Sequence, residues 1–163
     1  MKRKVSINLF LLLFFSLKLF AQLPARLCKG NEVVIYAFQL QNKKWVSVCK
    51  EKKEEYIVYR LGSADKVALQ YPLVLDATSW QNFSFTSYIR DFGKQDVAMH
   101  MAYLDFNYNG SKYEVYETTD AEISHENCGV KTVKDDAVVD MAGVFKTRVG
   151  NLLELKNNIK IKH

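Results

Sequence analysis

Residues 97–120 read "VAMHMAYLDFNYNGSKYEVYETTD", and this stretch decides the fold. Asp105, Asn107, Asn109 and Gly110 are spaced like the start of a calcium-binding loop. Such a loop needs a bidentate Glu at its twelfth position, which here is Tyr116, and it needs helices on both sides. Instead, both flanks alternate in the period of two that marks β-strands. His100, Ala102, Leu104 and Phe106 fall on one face. Asn109-Gly110 between two such runs is the signature of a two-residue hairpin, because a type I′ turn needs positive φ at both central residues. The pairing that follows sets Phe106 opposite Tyr113, Leu104 opposite Val115, and Tyr103 opposite Tyr116. It also sets Asp105 opposite Glu114, a like-charge pair that opposes the scheme slightly.

Working outward, the same alternation recurs. "EVVIYAFQL" (32–40) is apolar on both faces, which suits a central or barrel strand. "WVSVC" (45–49), "YIVYRLG" (56–62) and "VALQYPLVL" (67–75) continue it, with Pro72 marking a strand end or a sheet edge. The intervening "KEKKEE" (50–55) mixes both signs and reads as a solvated turn. Residues 76–96 predict an irregular connection with one short strand near Phe83 to Tyr88. "HENCGVKTV" (125–133) and "AVVDMAGVF" (137–145) add short strands, while the tail from Asn151 reads as helical turn or strand. The expectation is an all-β domain, an antiparallel barrel or sandwich of about 8 strands, following an N-terminal signal helix.

The first 21 residues have the layout of a secretory signal. Lys2, Arg3 and Lys4 form a basic head, Ile7 to Phe20 a short apolar run, and Ala21 a small residue before Gln22. The run is too short for a bilayer core, which takes about 20 apolar residues. Cys28 follows Ala25-Arg26-Leu27, a poor lipid-anchoring signal. Residues 1–21 therefore read as a signal peptide and 22–163 as a single secreted or periplasmic domain with no membrane span. The leader holds four of the 23 basic residues (Lys2, Arg3, Lys4, Lys18) and none of the 18 acidic ones, so residues 22–163 carry 19 against 18, a net of +1. A nucleic-acid surface needs a clustered cationic excess, and this chain has none.

In an oxidising compartment two of the three cysteines, Cys28, Cys49 and Cys128, are expected to pair. Three pairings are open; Cys28–Cys49 is favoured because those two flank a strand. His125 three residues before Cys128 lacks the further ligands zinc requires. It also lacks the orienting third group of a Cys/His nucleophile. His100 reads as a core or edge histidine with a hydrogen-bonded ring. Asp135-Asp136 reads as a turn. There is no nucleophile elbow, no phosphate-binding loop and no dinucleotide fingerprint. No metal or cofactor is expected, and the chain reads as a non-enzyme. The plentiful aromatics, Trp45 and Trp80 among them, serve either core packing or contact with a protein or glycan.

Two resemblances follow from these residues. The run "LCKGNEVVIYAFQLQNKKWVSVC…YIVYRLG", with "NGSKYEVY" downstream, resembles a group of small secreted bacterial β domains of unassigned activity. Those domains carry an extra cysteine in the first strand, where this chain has Phe38. Asn109-Gly110-Ser111-Lys112-Tyr113 is similar to the Ser-Gly-x-x-Tyr loop of periplasmic inhibitors of c-type lysozyme, with Asn in place of the first Ser. That similarity implies a loop that enters a partner's cleft. The binding residues expected are therefore Asn109, Gly110, Ser111, Lys112 and Tyr113. The expected function is a non-catalytic binding module. Inhibition of a lysozyme-like enzyme, or hydrolysis of an envelope polymer by two close carboxylates, are the alternatives.

Overall fold

The structure is a computed structural model that describes residues 27–91 and 97–163. The secretory-type leader lies outside the described residues. Nine strands form one antiparallel sheet. They are β1 (Glu32–Leu40), β2 (Trp45–Glu51), β3 (Ile57–Ser63), β4 (Lys66–Tyr71), β5 (Ser84–Asp91), β6 (Val97–Tyr108), β7 (Ser111–Asp120), β8 (His125–Lys134) and β9 (Ala137–Gly150). Their order in space is β4-β3-β2-β1-β9-β8-β7-β6-β5, so two meanders join where β1 meets β9. The sheet curls into a half-barrel, and β4 and β5 are its two edges.

The opening hairpin forms in the expected register. Phe106 faces Tyr113, Leu104 faces Val115, Tyr103 faces Tyr116, and Asp105 faces Glu114. Asn109 and Gly110 have φ of 49° and 74°, the left-handed values a type I′ turn demands. The like-charged Asp105 and Glu114 each have a lysine: Lys112 Nζ lies 3.3 Å from Asp105 and Lys131 Nζ 3.5 Å from Glu114. Asp135 and Asp136 make the second such turn, with φ of 47° and 65°, between β8 and β9.

One face of the curled sheet holds the main core, which includes Tyr36, Phe38, Ile57, Tyr59, Phe85, Leu104 and Val130. Strict alternation would place Ile35 on the opposite face from Tyr36. A bulge in β1 between Val34 and Tyr36 overrides it, and both side chains enter the core. A bulge adds one unpaired residue and turns the side chains that follow it. Gly143 packs so closely that a Cβ there would meet the Cys128 sulfur at 2.5 Å and the Phe38 ring at 2.6 Å.

Rings bridge the β4 edge to β6 across the half-barrel. Tyr71, the last residue of β4, stacks on Phe106 of β6 at 4.6 Å between centroids and 15° between planes. Phe106 in turn stacks on Tyr113 at 4.9 Å and 6°. Phe83 meets both Tyr71 and Phe106 edge-on. Pro72 ends β4, as the sequence predicts. The chain then crosses to β5 through a 3-10 helix, Ala77–Asn82, capped by Asp76, whose side chain accepts from Thr78 N. Trp80 of that turn is 1% exposed. At the other end, Lys162 O accepts from Phe85 N at 2.7 Å and covers the start of the β5 edge.

The opposite face of β1–β3 has its own small core under the segment that carries Leu27 and Cys28. Cys28 and Cys49 are bonded, with their Cα atoms 5.7 Å apart. Tyr56, Val58 and Leu75 pack around them. Arg60 and Glu32 form an ion pair there with side chains 1% and 0% exposed. Closing a loop of 21 residues removes chain entropy from the unfolded state, by about 3 kcal/mol on the loop-length model. Replacing both cysteines with serine is expected to lower stability by about 2–4 kcal/mol in urea titration. An unchanged midpoint would show that the segment over the second core holds without the staple.

Candidate functional site

The five hairpin residues are adjacent in space, at and beside the β6–β7 turn. Asn109, Gly110 and Lys112 are exposed, and Ser111 and Tyr113 are half-buried. Strand alternation turns Lys112 and Tyr113 to opposite faces. Lys112 lies against Asp105, and Tyr113 lies on Phe106. A small hollow of about 140 Å³ beside the turn is lined by Asn82, Ser84, Asp105, Asn107, Lys112 and Lys162. Burial raises the Asp105 carboxyl above its ordinary range, and Lys112 opposes that rise.

A larger feature lies at the other end of the same strands. An open cleft of about 490 Å³ is lined by His100, Thr119, His125, Glu126, Arg148 and Asn151, with Asp120 and Ser124 at its margin. Its residues come from the start of β6, the end of β7, the start of β8 and the end of β9. Register explains the assembly: His100 faces Thr119, and Thr119 faces Glu126. Three strands thus present one polar row at the mouth of the half-barrel.

One row deeper, Ala102 faces Glu117 and Glu117 faces Cys128. Glu117 is 0% exposed. Its Oε1 accepts from Arg148 Nη1 at 2.7 Å, and its Oε2 accepts the backbone N–H of Leu152 at 3.0 Å. Leu152 opens the second 3-10 helix, Leu152–Leu155, whose cap Asn151 accepts from Leu153 N at 2.7 Å. A buried carboxylate is tolerated only when it is paired and hydrogen-bonded, and Glu117 is both. The Arg148 guanidinium also lies 4.3 Å over the Phe145 ring, and its side chain remains one-third exposed.

His100 sits above this pair. Its Nδ1 is 2.8 Å from Thr119 Oγ1, and its Nε2 is 4.0 Å from Glu117 Oε1. Nε2 is buried and has no hydrogen-bond partner. The sequence expectation of a hydrogen-bonded ring holds for one nitrogen and not for the other. Burial lowers the imidazole's pKa; Glu117 opposes the shift and Arg148 reinforces it.

The remaining candidates resolve plainly. His125 and Cys128 are three residues apart on one strand and point to opposite faces, His125 exposed and Cys128 at 0% exposure. Burial pushes the Cys128 thiol up to about 11. Nucleophilic sulfur needs the thiolate and access, and this site denies both. Cys128 in the native protein is accordingly expected to stay unlabelled by a thiol-reactive disulfide reagent at neutral pH, and to react stoichiometrically in urea. Rapid native labelling would show that β8 opens. Among the described residues Cys28, Glu32 and Cys49 lie close enough to hold a metal. Their sulfurs are bonded to each other, and Glu32 faces Arg60. Trp45 and Trp80 are buried at 7% and 1%, so neither forms a contact platform. Among the described residues no helix is long and apolar enough to cross a membrane.

No known protein family, no curated protein and no solved structure matches this chain.

Sequence reading missed the cleft. Glu117, Arg148 and Thr119 are spread over two strands and 31 residues between Glu117 and Arg148, with no motif spacing. The one legible signal was a charged residue, Glu117, on the strand face that also carries Tyr113 and Val115.

Proposed function

We propose that this chain is a non-catalytic binding module, exported as a secreted or periplasmic domain, whose ligand site is the cleft at the His100 end of β6. The observation that carries the reading is the fixed floor of that cleft. Glu117 is held by Arg148 and by the Leu152 N–H, and His100 is held by Thr119, so the polar groups are set before any ligand arrives. Preorganised polar groups in a concave site of this volume fit small-molecule recognition. The Cys28–Cys49 bond supports export, because disulfides persist in oxidising compartments.

Thermal-shift screening of residues 22–163 against small polar molecules tests the site. A ligand that raises Tm with wild-type protein, and not with Arg148→Lys, supports the reading. Turnover of an ester, amide or glycoside substrate that disappears in Thr119→Val would replace it with an enzymatic one. Fusing residues 1–26 to a reporter active only outside the cytoplasm tests export; an inactive reporter removes that part.

A second reading, inhibition of a lysozyme-like enzyme, draws on the Asn109–Gly110 turn. It projects exposed Asn109, Gly110 and Lys112 from a hairpin anchored by the Phe106–Tyr113 stack. A lysozyme assay with the domain in excess, beside a Lys112→Ala variant, tests it. Undiminished lysozyme activity would end it.

A further inference from the structure

The cleft has a chemical polarity that narrows its ligand. Its inner end offers donors. Arg148 spends Nη1 on Glu117, and the rest of its fork reaches the cleft from a side chain one-third exposed. Asn151 spends its Oδ1 on the Leu153 N–H, leaving its amide N–H groups for the cleft. His100 adds Nε2, buried and without a partner. If Thr119 donates to Nδ1, the neutral ring carries its proton on Nε2, a donor 4.0 Å from the nearest carboxylate oxygen and thus unsatisfied. A buried donor left unmade is costly, so an acceptor arriving there gains more than it would at the surface.

The outer end is different. Glu126 is exposed at the rim, opposite Thr119 in register. Asp120 also lines the cleft; it accepts the Glu122 N–H and lies 4.0 Å from Arg90. The Glu117–Arg148 pair is self-neutralising, so the rim sets the net charge, and it is acidic. A simple anion would meet Glu126 at the entrance, and a simple cation would find only hydrogen-bond donors at the inner end. One molecule with a carboxylate at one end and an ammonium at the other suits both ends.

We propose that the cleft takes a zwitterion of the amino-acid or short-peptide class, with its carboxylate on Arg148, Asn151 and His100 Nε2 and its ammonium at the Glu126 rim. This rests on the cleft being a ligand site. Seating the carboxylate favours the protonated imidazole, which the free protein disfavours. Binding therefore takes up a proton, and affinity rises as pH falls through the pKa of the bound imidazole. The charged groups facing His100 in this balance are Glu117 from β7 and Arg148 from β9, with Asp120 from β7 and His125 and Glu126 from β8 at the rim.

Isothermal titration of residues 22–163 with L-alanine and L-alanyl-L-alanine tests the assignment. Saturable binding is expected, at least tenfold weaker for the C-terminal amide and for the N-acetylated dipeptide. Acetate alone and methylammonium alone should each bind far more weakly. Arg148→Lys, which keeps a cation on Glu117 and loses the planar fork, should weaken the dipeptide at least tenfold in the folded variant. His100→Gln should abolish the pH dependence. Thr119→Val leaves the Glu117–Arg148 pair untouched and serves if Arg148→Lys does not fold; loss of the fixed imidazole should again weaken binding. Failure of both zwitterions to bind, equal binding of the amide, or a folded Arg148→Lys that binds like wild type would each overturn the proposal. Should some other small molecule raise Tm through the cleft while the zwitterions fail, the binding module stands and the ligand class falls.

Discussion

Replacing Arg60 with methionine is expected to lower the stability of the domain by about 3–5 kcal/mol, the range for breaking a buried ion pair from one side. Arg60 Nη1 and Nη2 donate to the two oxygens of Glu32 at 2.6 and 2.8 Å. Nη1 also donates to Leu27 O at 2.9 Å, and Nε donates to Gln70 Oε1 at 2.9 Å. With Arg60 gone, the carboxylate stays buried beside the Tyr56 hydroxyl at 3.0 Å and the Lys29 N–H at 2.6 Å, with its charge uncompensated. A loss of this size is a large part of the roughly 5–15 kcal/mol that a domain has in total. The double variant Glu32→Gln/Arg60→Met should cost much less than the two single changes added together, because it removes both charges. Additive losses in urea titration would show that the two side chains stabilise independently.

The same pair makes an acid-sensitive element. Burial alone would raise the Glu32 carboxyl, but Arg60, the Lys29 N–H and Tyr56 together bring it below its ordinary value of 4.5. A depressed folded value means the unfolded state binds the proton more tightly. The contribution is therefore complete above the unfolded pKa and is lost as pH falls through the folded one. Arg60→Met should flatten this acid limb, and a wild-type limb of the same steepness would assign it to other carboxylates.

Phe106→Ala is expected to cost about 3–5 kcal/mol, as for other fully packed aromatic residues. Phe106 is 3% exposed and has rings on several sides: Tyr71 and Tyr113 stacked on it, Phe83 edge-on, and Tyr59 tilted at 4.9 Å. It belongs to β6, while Tyr71 belongs to β4 at the far end of the sheet order. Truncation would remove the central ring of the seam between β4 and β6. Phe106→Leu keeps part of the volume but no ring face, and should cost roughly half as much. Beyond the midpoint shift, faster amide exchange in β4 than in β1 is expected, because β1 is central and β4 is an edge. A midpoint within about 0.5 kcal/mol of wild type, the range of neutral surface changes, would mean that the seam is held by the covering turn at Trp80 instead.

Local chemistry carried most of the architecture. The Asn109-Gly110 and Asp135-Asp136 turns, the register of β6 on β7 and the stop at Pro72 were legible because each follows from a few adjacent residues. A turn type is decided by which residues accept positive φ, and the period of two then sets every cross-strand pair. The bulge at Ile35 was not legible, since an extra residue in a strand leaves no mark on an all-apolar run. Nor was the order of the sheet, in which β1 meets β9. Long-range pairing depends on which surfaces bury each other best, and that is a property of the whole set of strands.

The site divides in the same way. The hairpin residues could be singled out by a contiguous pattern, and alternation sends Lys112 and Tyr113 to opposite faces. The cleft came from His100, Thr119 and Arg148, on three separate strands, over the buried Glu117. By itself the sequence determined an all-β chain, where it turns, and which side chains face each other across a hairpin, because those follow from bond rotations and spacing along a few residues. Only the assembled sheet brought an imidazole to 4.0 Å and a guanidinium to 2.7 Å from one buried carboxylate, because burial of one shared apolar face, and no local preference, decides which distant strands lie side by side.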